Sequence, residues 1–194
     1  MVAQLPGGLR WRLTAWVAAV MMCSVAVIFL VVYNDTGTEV RAQIDQDIVG
    51  DTNQLAQALG SRTRLSATQL SDVARSYVQG QPYGATSTLL FVLIPGAGAA
   101  FNHPEIVGQG NAEDNDSAAD RAHEQQLAAD LLRPALGFTV QKVPDIGPTR
   151  VLERSVAIGS RNVVIGAGEP LAIVSRAQDG VARTFVLAGA ITFA

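Results

Sequence analysis

The chain has 194 residues, 48% of them hydrophobic, and its fourteen basic and seventeen acidic side chains leave a net charge of −3. All seventeen acidic residues lie between Asn34 and Ala182, against eleven basic ones, so that stretch carries −6 and is excluded as a nucleic-acid surface, which needs excess positive charge. A single cysteine, Cys23, excludes a disulfide framework and any cysteine-based zinc site.

Leu13 to Tyr33, LTAWVAAVMMCSVAVIFLVVY, runs for twenty-one residues without a charge. As a helix it rises about 30 Å, the thickness of a bilayer's hydrocarbon core, and it is predicted to span a membrane. Arg10 and Arg12 precede it with no acidic residue in the first twelve positions, whereas Asp35, Glu39, Asp45, Asp47 and Asp51 follow with only Arg41 among them. The positive-inside rule therefore places residues 1–12 in the cytoplasm, 13–33 in the cell membrane and 34–182 outside. Trp11, Trp16 and Tyr33 lie near the ends of the run, where amphipathic rings favour the headgroup zone. A cleaved signal peptide needs a shorter apolar core and a small-residue cleavage site, and Phe29 to Asn34 offers only bulky residues. Met21 and Met22 stand where a lipoprotein motif wants small residues, so Cys23 reads as a small hydrophobe within the helix.

Beyond the span, Val40, Ile44, Ile48, Leu55 and Leu59 recur at steps of four or seven, which puts them on one helical face between Thr38 and Leu59. This helix continues the span outward, and its stripe faces either the domain's own core or the same helix of a second subunit. The pattern resumes at Ser66 with Leu70, Val73, Ala74, Tyr77 and Val78, and Gly80 with Pro82 ends it. Leu89 to Ile94, LLFVLI, is a strand covered on both faces, and Pro95-Gly96-Ala97-Gly98 turns it into a hairpin that returns through Ala99 to Asn102. Gly108 to Asp116 is a solvated polar loop that lacks the spacing of a calcium loop. Ser117 caps a helix carrying Leu127, Ala128, Leu131 and Leu132, stopped by Pro134. Phe138–Val143, Arg150–Ile158 and Asn162–Gly166 are strands, with Gly159-Ser160-Arg161 as the turn between the last two. Glu169 to Arg183 is predicted as a helix that runs into TFVLAGAITFA at 184–194, a largely apolar run of eleven residues that rises about 16 Å, and this run is expected to be the truncated start of a second span.

The order of span, outer α+β domain and helix running into a second span resembles the front half of a bacterial, actinobacterial-type two-component sensor histidine kinase. The resemblance lies in Tyr77–Gly108, YVQGQPYGATSTLLFVLIPGAGAAFNHPEIVG, and in Val163–Ala190, VVIGAGEPLAIVSRAQDGVARTFVLAGA. It implies a PAS-like extracytoplasmic sensor domain, with long helices packed on an antiparallel sheet, in a homodimer that receives an unidentified outer stimulus. It also implies a downstream HAMP linker, a phosphoacceptor histidine and an ATP- and Mg-binding domain that phosphorylates a response regulator. None of those parts lies in this chain, and no cofactor is expected in it. His123-Glu124 opens like the phosphoacceptor box H-E-x-x-x-P, but Gln125-Gln126-Leu127-Ala128 follow without the proline, and it falls outside the cell, away from ATP.

No catalytic constellation is legible. His103 and His123, with Glu105, Asp120 and Glu124 nearby, make a metal site only if the fold joins them, and ordinary surface histidines are the preferred reading. For a small ligand the default site is the sheet face beneath the crossing helix, where Arg150, Arg154, Tyr83 and Asn102 are the candidate polar residues and the two arginines favour an anion. The alternative function is a membrane-anchored cell-envelope interaction or scaffold protein without signalling output.

Overall fold

The computed structural model describes residues 9–83, 87–104, 118–144 and 146–192. In chain order they form α1 (Leu9–Gly60), α2 (Ala67–Gln79), β1 (Leu89–Ile94), β2 (Gly98–Phe101), α3 (Ala118–Leu131), β3 (Gly137–Val143), β4 (Gly147–Ile158), β5 (Arg161–Pro170) and α4 (Ala172–Thr192). The fold is α+β, with a long N-terminal apolar helix and an antiparallel sheet. The polar loop expected at Gly108–Asp116 and the Ser117 cap lie outside the described residues.

The chain divides into two compact units, one of residues 41–173 and one of residues 1–40 with 174–194. In the first, five antiparallel strands follow the order β2-β1-β5-β4-β3. The register sets Arg150 beside Glu169, Leu152 beside Ala167, Ala167 beside Leu90 and Ile165 beside Val92, so these residues share one face. Val163, Ile165 and Ala167 on that face are fully buried. The C-terminal third of α1 lies across it, because Arg150 and Arg154 of β4 both donate to α1 side chains. Its stripe of Ile44, Ile48, Leu55 and Leu59 is at most 3% exposed. The stripe thus serves the domain's own core, and four such side chains contribute roughly 1.5–3 kcal/mol each. Thr52 sits among them without penalty, since its hydroxyl donates to the Ile48 carbonyl at 2.6 Å.

Helix α2 begins where Ser66 forms a capping box with Gln69, whose backbone N–H donates to Ser66 Oγ at 3.2 Å while its side chain accepts the Ser66 N–H at 3.0 Å. It packs on β1 and β2, burying Leu70, Ala74 and Val78.

The opposite face of the sheet carries Leu89, Phe91, Leu93, Phe101, Val143 and Val151, gathered under Leu131 of α3. Phe91 stacks on Phe101 at 5.5 Å between centroids and lies across Gly166, its register partner on β5. A Cβ at Gly166 would run into the Phe91 ring, so glycine is required by space there, not by backbone angle. At Gly159, in the β4–β5 turn, both demands meet: φ is +62° and a Cβ would strike the Thr63 carbonyl. The sheet exceeds its sequence-predicted bounds at one point that matters. Glu169 and Pro170 do not open a helix but extend β5, pairing with Arg150 and Thr149. The ladder of β4 captures them, Pro170 lacks the N–H to extend it further, and α4 starts only at Ala172.

In the second unit, α1 is long and apolar enough to cross a membrane, with a mean hydropathy of 2.7 over its best window and none of that window buried. Trp16, Val20, Met21, Val25 and Ile28 are all exposed, the surface a lipid solvent would cover. The first segment of α4 runs beside it: Phe29 meets Phe185 edge to face at 5.1 Å, and the side chain of Gln178 lies where Gly37 has no Cβ.

Replacing Gly166 with alanine is expected to destabilise the sheet unit by about 1–3 kcal/mol, and the Gly166→Ala, Phe91→Leu double variant to recover part of the loss. Urea unfolding of the detergent-solubilised chain, followed by amide exchange in β1 and β5, measures both. Equal losses in the single and double variants would refute the steric account.

Candidate functional site

Seen down α1, at 100° per residue, Asp45 flanks the buried stripe on one side and Asp47 and Asp51 flank it on the other. Each flank meets a different part of the sheet. On the first, Arg150 grips Asp45 with a two-pronged bond, Nε to Oδ1 at 2.9 Å and Nη2 to Oδ2 at 3.2 Å. The guanidinium carbon stands 4.7 Å from the centre of the Phe138 ring, within cation–π range. The pair is partly shielded, with side-chain exposures of 29% for Arg150 and 38% for Asp45, and the hydrogen bond to Asp45 holds the guanidinium above its ordinary pKa.

On the other flank, Tyr83 donates its hydroxyl to Asp51 Oδ1 at 2.9 Å. Burial, then the Asp51 hydrogen bond and charge, push the phenol up to about 12. Asp51 is itself raised, chiefly by burial and in smaller part by the charge of Asp47, with the Tyr83 bond acting the other way. Glu169 faces the same group of carboxylates. Its removal from water, and then the charges of Asp47 and Asp51, push it up to about 7.

The four candidate residues therefore separate. Three secure α1: Arg150 through Asp45, Tyr83 through Asp51, and Arg154 through a 2.7 Å bond from Nη1 to Asn53 Oδ1. Asn102 sits elsewhere and finishes the β1–β2 ladder. Its Oδ1 accepts the Leu90 N–H at 2.9 Å, its Nδ2 donates to the Thr88 carbonyl at 2.7 Å, and its own N–H donates to the Leu90 carbonyl at 3.0 Å. Among the described residues no group of three or more metal-ligating side chains converges, and His103 and His123 stay on separate elements, the exit of β2 and α3.

Sequence reasoning missed Asp45 and Glu169, because the partners of Arg150 and Asp51 emerge only once the β4–β5 register and the depth of α1 are known. It also gave Glu153 no role. That carboxylate is 1% exposed, accepts the Ala135 N–H at 2.7 Å and the Gln141 amide at 2.9 Å, and ties the α3–β3 connection to the sheet.

No family model, curated protein or solved structure matches the chain.

Because Glu169 holds its proton to about pH 7 when folded and only to about 4.5 otherwise, the folded state binds more protons between those values, and stability falls as pH rises through that window. Asp51 acts in the same direction. With solvent screening of a half-exposed group allowed for, the Glu169 contribution amounts to about 1–2 kcal/mol. Denaturation midpoints at pH 5.5 and pH 8 are expected to differ in favour of the lower pH, and Glu169→Gln to shrink the difference by raising the midpoint at pH 8. A midpoint that climbs with pH over this range contradicts the assignment.

Proposed function

We propose that this chain is the signal-receiving, membrane-anchored input region of a two-component sensor histidine kinase, with a PAS-like extracytoplasmic domain. The observation that carries the reading is the continuity of α1, which passes without a break from its apolar segment into the stretch whose Asp45, Asp51 and Asn53 are bonded to the sheet unit. A stimulus that alters any of those bonds changes the hold on a helix whose other end is buried in lipid.

The return path is equally short. One residue, Leu171, separates β5 from α4, and its N–H donates to the Pro148 carbonyl at 2.9 Å, so the start of α4 is fixed to β4. Shifts of β5 against α1 pass into α4 as a piston or rotation and bias a bistable cytoplasmic dimer. Phe185 of α4 meets Phe29 of α1 edge to face, which supports α4 as a second span. A long helix laid on an antiparallel sheet is the arrangement expected of the PAS-like class. Arg10 and Arg12 support a cytoplasmic N-terminus. In the full signalling protein the output is ATP-dependent histidine autophosphorylation and transfer to a response regulator.

A second reading, an envelope scaffold, is favoured by one feature: Leu136, Phe138 and Val140 are exposed along the edge strand β3 and its approach, the kind of surface a protein partner covers.

In a Cys23→Ser background, Ser61→Cys is expected to react with a membrane-impermeant maleimide in intact cells, and Gln4→Cys only after lysis. The reverse pattern overturns the topology. The signalling reading further expects the reading frame downstream of Ala194 to encode a HAMP linker and an H-E-x-x-x-P box, and a frame without any output domain decides for the scaffold.

A further inference from the structure

We infer that the recess between α1 and the β3–β4 edge binds a small organic carboxylate. The recess has a volume of about 260 Å³ and is lined by Arg41, Ile44, Asp45, Val140, Arg150 and Leu171. That is below the roughly 300–1,000 Å³ of sites for drug-sized molecules, so its occupant is small. Three walls, Ile44, Val140 and Leu171, are apolar, and the charged groups are two guanidiniums against one carboxylate.

The guanidiniums are not spent. Asp45 occupies the side-on fork of Arg150, Nε and Nη2. The end-on fork, Nη1 with the second Nη2 proton, has no acceptor among the described residues, and Arg41 has no partner among them either. Arg41 stands one helical turn before Asp45, on the same side of α1. The two-pronged grip on Asp45 shows that Arg150 is held in a geometry that suits a carboxylate, with the Phe138 ring beside its guanidinium. A monoanion joining the end-on fork to Arg41 neutralises the one positive charge left over, and its apolar body rests on Ile44, Val140 and Leu171. The recess belongs entirely to the sheet unit, so its occupancy does not depend on membrane topology or on the signalling reading.

Benzoate is the probe, with benzyl alcohol as its uncharged counterpart and inorganic phosphate as an anion without an apolar body. Each is titrated calorimetrically into the full chain in zwitterionic-lipid nanodiscs at low salt. Benzoate is expected to bind saturably at one site per chain. Arg41→Gln is expected to weaken it by about tenfold or more, Val140→Asp to abolish it, and benzyl alcohol and phosphate each to bind at least tenfold more weakly. Arg41 is exposed, so an unchanged unfolding midpoint for Arg41→Gln separates lost binding from lost fold. Absence of saturable benzoate binding, an affinity indifferent to Arg41→Gln, or phosphate binding as tight as benzoate overturns the inference.

Discussion

The architecture depends on one constraint: four large side chains on α1, Ile44, Ile48, Leu55 and Leu59, leave water only by lying on the sheet face formed by Val163, Ile165 and Ala167. The same helix obeys two solvent rules in succession. Over its first part the hydrophobic side chains point in every direction and stay exposed, as suits a helix surrounded by lipid. Over its last part the apolar positions contract to one stripe, as suits a helix with water on its back. One helix, Leu9–Gly60, contains both parts.

Apolar contact alone leaves a helix free to slide along a sheet by small steps. The polar bonds at the stripe's edges remove that freedom, because a two-pronged guanidinium–carboxylate bond tolerates little displacement. The two edges differ in kind. Arg150 and Asp45 are opposite charges joined by a two-pronged bond, whereas Asp47, Asp51 and Glu169 are like charges brought together, and among the described residues the Tyr83 hydroxyl alone offers a side-chain bond to Asp51. The second edge holds α1 better when a proton is present.

Much of this was legible in the residues, because it follows local rules. The apolar run, the period of the stripe, the LLFVLI strand with its Pro-Gly turn and the stop at Gly80 each carry their own signal within a dozen positions. Long-range pairing was not legible. Glu169 looked helical because the segment after it is helical, and its strand state is imposed by Arg150 nineteen positions earlier through the β4–β5 ladder. The polar candidates were chosen by residue type on the expected face, and for Arg150, Arg154 and Tyr83 the side chains do reach that face's helix. Asn102, adjacent in sequence to a strand end, was drawn instead into completing the ladder. A sequence supplies the donors and acceptors, but which of them meet depends on register.

On the far side of the sheet, Glu153 receives two donors, one on each oxygen, in a place closed to water. An amide of the same shape has a single acceptor oxygen, so its nitrogen would confront either the Ala135 N–H or the Gln141 amide. Isosteric replacement is therefore not a silent exchange at this position: the neighbourhood counts lone pairs, and two acceptor oxygens on residue 153 are a condition of assembling the connection between α3 and β3.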